Sequence, residues 1–264
     1  ALLAPLTPSA SAKSLYRYAP ATNWGYTYAA PATNFTTSAI PKSANLEKLS
    51  TINVNYNNFP DWAKRELQLA VDIWGANFQS KVAITMDATW SSSQSLAILG
   101  SARPVNFFSS FAGAPDQSLW YTSALANALA GKDLDKANPD VIIQVNSSGG
   151  WNTRGDGMPS QREYDLRSVF LHEIAHGIGF LSNDAYDANF GVASLDQPTP
   201  YDAYAQTIDG QRLADLPTPS RELAQALTAP LFWSGTNAIK ANGGVKPKLY
   251  TPVSYEPGSS TSHL

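Results

Sequence analysis

From Thr51 the chain alternates apolar and polar positions, Ile52-Asn-Val54-Asn-Tyr56, the period of two expected of a strand with one buried face. Pro60-Asp61 then opens a stretch in which Leu67, Ala70, Val71, Trp74 and Phe78 fall on one face. That spacing predicts an amphipathic helix whose aromatics fill a core. Val82–Met86 predicts a second strand, residues 96–105 a third, and Val141–Val145 another before the Gly149-Gly150 turn, with a helix over Ala124–Ala130 between them. Leu166, Phe170, Ile174 and Ile178 recur every four residues, an apolar stripe that predicts a helix packed on the same core. Its start is signalled twice, by Ser160-Gln-Arg-Glu163 as a capping box and by Asp165 as the cap of a shorter version. Gly177 and Gly179 mark the far end, either by terminating the helix or by leaving room for a close neighbour. Beyond Gly179 the chain is loop-rich, apart from a short helix over Ser220–Leu227. Residues 1–45, rich in Ala, Pro, Ser, Thr and Tyr, show little periodicity and read as an extended arm over the domain or a remnant of a pro-segment. No internal repeat is present, and the element order predicts an α+β domain.

Composition narrows the function classes. The 264 residues accommodate one large domain, or two lobes sharing a cleft. Charged residues make up 15% with a net charge of −3 and no basic run, which argues against a nucleic-acid partner. No apolar run reaches membrane-spanning length. The absence of cysteine excludes disulfides, a thiolate metal ligand and a thiol nucleophile. The start, Ala1-Leu-Leu-Ala-Pro, has no basic region before it and reads as a mature or processed end. The whole agrees with a secreted, extracellular protein.

The candidate chemistry lies in Leu171-His172-Glu173-Ile174-Ala175-His176-Gly177, which holds two of the chain's three histidines. Four helical residues advance about 6 Å along the axis, so both imidazoles reach one ion from the side opposite the apolar stripe. Glu173 projects about 60° from His176 at 100° per residue, placed to address a metal-activated water without being a ligand. This predicts a catalytic zinc with His172 and His176 as ligands and Glu173 as general base and acid. Such sites take a third protein ligand. His263, in Pro257-Gly-Ser-Ser-Thr-Ser-His263-Leu264, is the expected one, with Glu222 on the later helix and Asp184 as rivals. The acidic residues Asp184, Asp187, Asp196 and Asp202 could hold calcium, but match no fixed calcium-loop spacing. Tyr201, Tyr204, Tyr250 and Tyr255 are candidates to steady an oxyanion.

His172-Glu-x-x-His176-x-x-Gly179 resembles the opening of the extended metzincin zinc-peptidase motif. The compact form would continue to a histidine where this chain has Ser182. Leu171–Leu181 together with Pro257–Leu264 is similar to the leishmanolysin-like metzincins and related secreted bacterial peptidases, whose third histidine comes from far downstream. The likeness runs from about Ile52 through Asp72-Ile-Trp74 to Leu231-Phe-Trp-Ser-Gly235. It implies a single catalytic domain over 1–264: a twisted mixed sheet with two long helices above a cleft, an upper subdomain 46–181, and a loop-rich lower subdomain 182–264. It implies a protein or peptide substrate docked on a sheet edge, with Asp140–Ser147 as that edge strand. It also implies a methionine turn after the third ligand. The only methionines are Met86 and Met158, and the chain stops one residue past His263, so the expectation is a chain cut short of that turn. The alternatives are a Glu-ligated peptidase of the thermolysin type, for which a clear Asn-Glu-x-x-x-Asp helix is missing, and a non-catalytic metal-binding adhesin or degenerate peptidase.

Overall fold

The computed structural model describes residues 16–29, 47–92, 95 and 97–264; the expectations for the remainder of the 1–45 arm and for Leu96 lie outside them. The described chain is a mixed α+β structure with several sheets and six α-helices. Its first part holds β1 (Arg17–Pro20), β2 (Gly25–Tyr28), β3 (Ile52–Asn57), α1 (Asp61–Asn77), β4 (Ile84–Ser91), β5 (Ile98–Pro104), β6 (Asn106–Ser109), β7 (Tyr121–Thr122), α2 (Ser123–Ala130), β8 (Val141–Asn146) and α3 (Leu166–Ile178). The second part has shorter elements: β9 (Ala185–Asp187), β10 (Val192–Ser194), α4 (Pro200–Tyr204), β11 (Ala205–Thr207), α5 (Arg221–Leu227), β12 (Leu231–Trp233) and α6 (Thr236–Ala241).

The main sheet has five strands in the order β2-β5-β8-β4-β3. β3, β4 and β8 run parallel, while β5 is antiparallel to β8 and β2 antiparallel to β5. This corrects the edge-strand expectation for Asp140–Ser147. β8 is interior, paired on both sides, with Val141, Ile143 and Val145 buried in the core shared with α1 and α3. The edge at that end is β2, from the segment read as an arm. Its companion β1 pairs with β6 in a separate three-stranded sheet.

α1 and α3 pack on this sheet through one core. Ala63, Leu67, Ala70 and Val71 come from α1, Leu166, Phe170 and Ile174 from α3, and Ile84, Met86, Ile143 and Val145 from the strands. Two polar ties fix the helices to each other. Trp74 Nε1 donates to the Leu171 carbonyl at 3.0 Å, and Arg167 meets Glu66 in a buried ion pair at 2.9 Å. At the start of α3, Asp165 is the cap, accepting from Ser168 N at 2.9 Å. The Ser160–Glu163 pair forms a turn outside the helix, with Ser160 N donating to Glu163 Oε2. The two glycines near the far end have different reasons. Gly177 lies against Val141 of β8, where any Cβ would overlap the valine. Gly179 ends the helix with φ 132°, a conformation side chains rarely adopt.

The second part has its own core of Leu213, Leu223, Leu227, Leu231 and Tyr201. Met86 is fully buried in the first core, on β4, and Met158 is 72% exposed.

Candidate metal centre

α3 delivers His172 and His176 from successive turns, and the loop after α6 delivers His263. The three residues offer ligand atoms that all lie within 4.8 Å of one another, and among the described residues they form the one cluster of this kind. His172 Nε2 is 2.8 Å from His176 Nε2 and 3.0 Å from His263 Nε2. Two of the three outer nitrogens have carbonyl partners: His176 Nδ1 donates to the Phe180 carbonyl at 2.7 Å, and His263 Nδ1 to the Ser259 carbonyl at 2.7 Å. With those protons outward, the Nε2 lone pairs converge, and a single proton on His172 cannot satisfy both neighbours. A divalent cation could sit at that convergence, and outward carbonyl partners are the kind of support that orients metal-ligating imidazoles. Burial, and after it the neighbouring imidazoles, hold His172 down at about 4 and His176 at about 3; burial also lowers His263, opposed by backbone carbonyls. All three are therefore neutral at pH 7, the form that binds a metal.

The trio borders an open cleft of about 320 Å³, lined also by Ala175, Phe180, Ser262 and Leu264. Glu173 lies beside it and is completely buried. Its Oε1 accepts from Thr27 Oγ1 of β2 at 2.5 Å, Gly100 of β5 abuts it, and its Oε2 has no hydrogen-bond partner. Burial raises its pKa to about 8 despite the Thr27 hydrogen bonds.

The rival ligands are elsewhere. Glu222 is exposed on α5. Asp184 is buried and supports the His263 loop instead of joining the histidines. It accepts from Thr261 Oγ1 at 2.8 Å, from Ser182 Oγ at 2.6 Å and from the Tyr255 hydroxyl. Ser182 Oγ also stands 2.6 Å from Asp202 Oδ1, and Ser182 N donates to Ser262 Oγ at 3.0 Å. Tyr201 OH donates to the Thr261 carbonyl at 2.5 Å. Burial raises the Asp184 pKa, and that of Asp202 to about 6. Thr261 itself has φ 66°, which is uncommon for a β-branched residue and is imposed by these partners. Tyr250 N donates to the His263 carbonyl at 2.8 Å, so the third histidine is tied down on both sides.

The proposed calcium acids do not gather: Asp187 and Asp196 are exposed, while Asp184 and Asp202 bond to protein hydroxyls. Of the four tyrosines proposed for an oxyanion, Tyr201 and Tyr255 serve the loop network, Tyr250 OH donates to Glu256, and Tyr204 is half exposed in the second part. Sequence reasoning misses Thr27, Gly25, Ser182 and Thr261. A His at position 182 would have signalled a ligand, whereas a Ser there carries no signal of its place in a network. Comparison with protein-family models, with curated proteins and with solved structures gave no match to this chain.

Proposed function

We propose that the chain is a secreted zinc-dependent endopeptidase of the metzincin kind, with His172, His176 and His263 as metal ligands and Glu173 as general base and acid. The observation that carries the reading is the convergence of three neutral imidazoles, two of them held from outside by backbone carbonyls, next to a carboxylate from the same helix turn. The donor set fits zinc, for which three imidazoles and one open position make a catalytic site. Zinc held there supplies a Lewis acid for the scissile carbonyl and makes water acidic enough to attack near pH 7. Glu173 takes the proton of the attacking water and returns it to the leaving amine. Phe180 and Ser259 hold His176 and His263 in the tautomer that presents Nε2, and an open cleft borders the trio. The five-strand mixed sheet under two helices, with an antiparallel strand beside α3, agrees with the metzincin resemblance. No helix among the described residues is long and apolar enough to cross a membrane.

Zinc per chain on purified protein, with cleavage of casein, tests the reading. The expected result is one zinc and a cleavage, however slow, that a chelator stops. Glu173→Gln is expected to keep the zinc and lose about 10³-fold in turnover. Wild-type cleavage by that variant, or cleavage indifferent to chelator, sinks the assignment.

A further inference from the structure

Glu173 is sealed by a segment that the hydrolytic chemistry does not require. β2 runs between two rims of the site. On one side Gly25, Tyr26 and Thr27 pair antiparallel with Ala102, Ser101 and Gly100 of β5. On the other, Tyr26 N donates to the Gly258 carbonyl at 3.1 Å, in the loop that ends in His263. The face of β2 turned to α3 is almost bare. Gly25 lies so close to His176 that a methyl group there would overlap the imidazole, and the one polar group, Thr27 Oγ1, is spent on Glu173. Flanking contacts hold the strand in this track: Arg103 stacks over Trp24 at 5.1 Å, Asn23 Nδ2 donates to the Asp184 carbonyl at 2.8 Å, and the upstream β1 pairs with β6.

An extended backbone added to a sheet edge, passing a metal ligand and placing a hydroxyl on the base, has the posture of a bound peptide. It does not have the chemistry of one, because the hydroxyl takes the place at Glu173 Oε1 that the attacking water needs. The other oxygen, Oε2, is buried without a partner, a cost that burial alone does not recover. A carboxyl that must meet water in turnover is here closed off from it.

We propose that Trp24–Tyr28 is an intramolecular pseudosubstrate, lying in the groove between β5 and the Gly258 loop where an extended peptide substrate binds, and that the chain with β2 in place is a latent form. This rests on the peptidase reading above. Tethering explains why a few hydrogen bonds suffice, since an attached segment acts at an effective concentration in the millimolar range. Opening the tether therefore weakens the block without altering a single residue of the site.

The test places one site-specific protease sequence between residues 30 and 45 of the full chain, loads the protein with zinc, cuts it, and separates the N-terminal peptide under native conditions. Casein hydrolysis, zinc content and the thermal midpoint are measured before and after. A rise in kcat/KM of about 100-fold or more on release, with zinc retained, is expected. A synthetic peptide covering residues 15–29, added back, is then expected to inhibit competitively against casein. An intact chain already as fast as the released one overturns the proposal, and so does loss of the folded transition on release, which would make β2 an ordinary structural strand. A released chain that keeps its zinc and fold, rebinds labelled 15–29 and gives it up to an unrelated extended peptide, yet cleaves nothing, upholds the pseudosubstrate groove and refutes the peptidase reading.

Discussion

The candidate metal centre is built by two regions that solve the same problem differently. α3 presents His172, Glu173 and His176 within little more than one turn, and helix geometry alone sets their relation. The helix is seated by a large apolar core, by the Trp74–Leu171 tie and by the Glu66–Arg167 pair. His263 comes from an irregular loop with Ser259, Ser260, Thr261 and Ser262 all buried. No apolar stripe holds it. Its position depends on Asp184, Ser182, Tyr201 and Tyr255, each bonding to the loop or to a partner of the loop. The helix half inherits its geometry from a repeating backbone, whereas the loop half has each bond individually specified. A helix half should tolerate the loss of any one distant polar group. A loop half should not.

The largest effect tests whether both halves are needed. His176→Ala and His263→Ala should each cost nearly all the bound zinc after dialysis, since either leaves two imidazoles where the cluster has three. Metal analysis decides. If His263→Ala keeps a full zinc while His176→Ala loses it, the loop half is not a ligand half and the comparison fails. Removing zinc from the intact protein by chelator should leave α3 folded, because its core contacts do not involve the metal, and should loosen residues 255–264, which hydrogen exchange would register.

The next effect separates support from ligation. Asp184→Ala deprives Thr261, Ser182 and Tyr255 of a shared acceptor without touching a histidine. Zinc affinity is expected to fall by about 10- to 100-fold, the usual cost of losing the groups that hold metal ligands in place. The competing expectation, that Asp184 is inert, would be met by unchanged affinity in a competition titration with a metal indicator.

The same contrast explains which parts of the molecule are legible in the chain and which are not. The strand at Ile52, both long helices and the β8 run follow from periodicity, a local property. The spacing of His172, Glu173 and His176 is likewise local, so their common face is legible. β5 is approximately legible, and the pattern reads β4 too short, ending at Met86 where the strand continues to Ser91. Sheet order is not legible, because pairing depends on contacts distant in sequence. The pattern gives Val141–Val145 only as a strand, and the resemblance that makes Asp140–Ser147 an edge is overturned by β4 and β5 on its two sides. The small residues of β2 carry no hydrophobic signal at all: Gly25 and Thr27 are chosen by what they meet, His176 and Glu173, some 150 residues on. The Asp184 network escapes a sequence reading for the same reason. An acid near the motif suggests a ligand, while its actual partners, Thr261 and Tyr255, are more than seventy residues away.

The smallest effect sharpens the comparison within the loop half. Tyr201→Phe keeps the ring, which packs edge-on against Phe180 at 4.9 Å and beside Trp233 at 4.6 Å, and removes only the donor to the Thr261 carbonyl. That carbonyl is buried, so losing its donor should cost about 1–2 kcal/mol of unfolding free energy. The position of the bond makes a further demand. It pins the residue with φ 66° that leads directly into His263, so part of the cost should appear as weaker zinc binding, by a factor smaller than that of Asp184→Ala. Denaturant unfolding and the indicator titration, run on both variants, give the two numbers. A Tyr201→Phe chain that loses stability with no change in zinc affinity would mean that Asp184 alone holds the loop. A chain that loses zinc affinity with no change in stability would mean that the bond orients the ligand and contributes nothing to the fold.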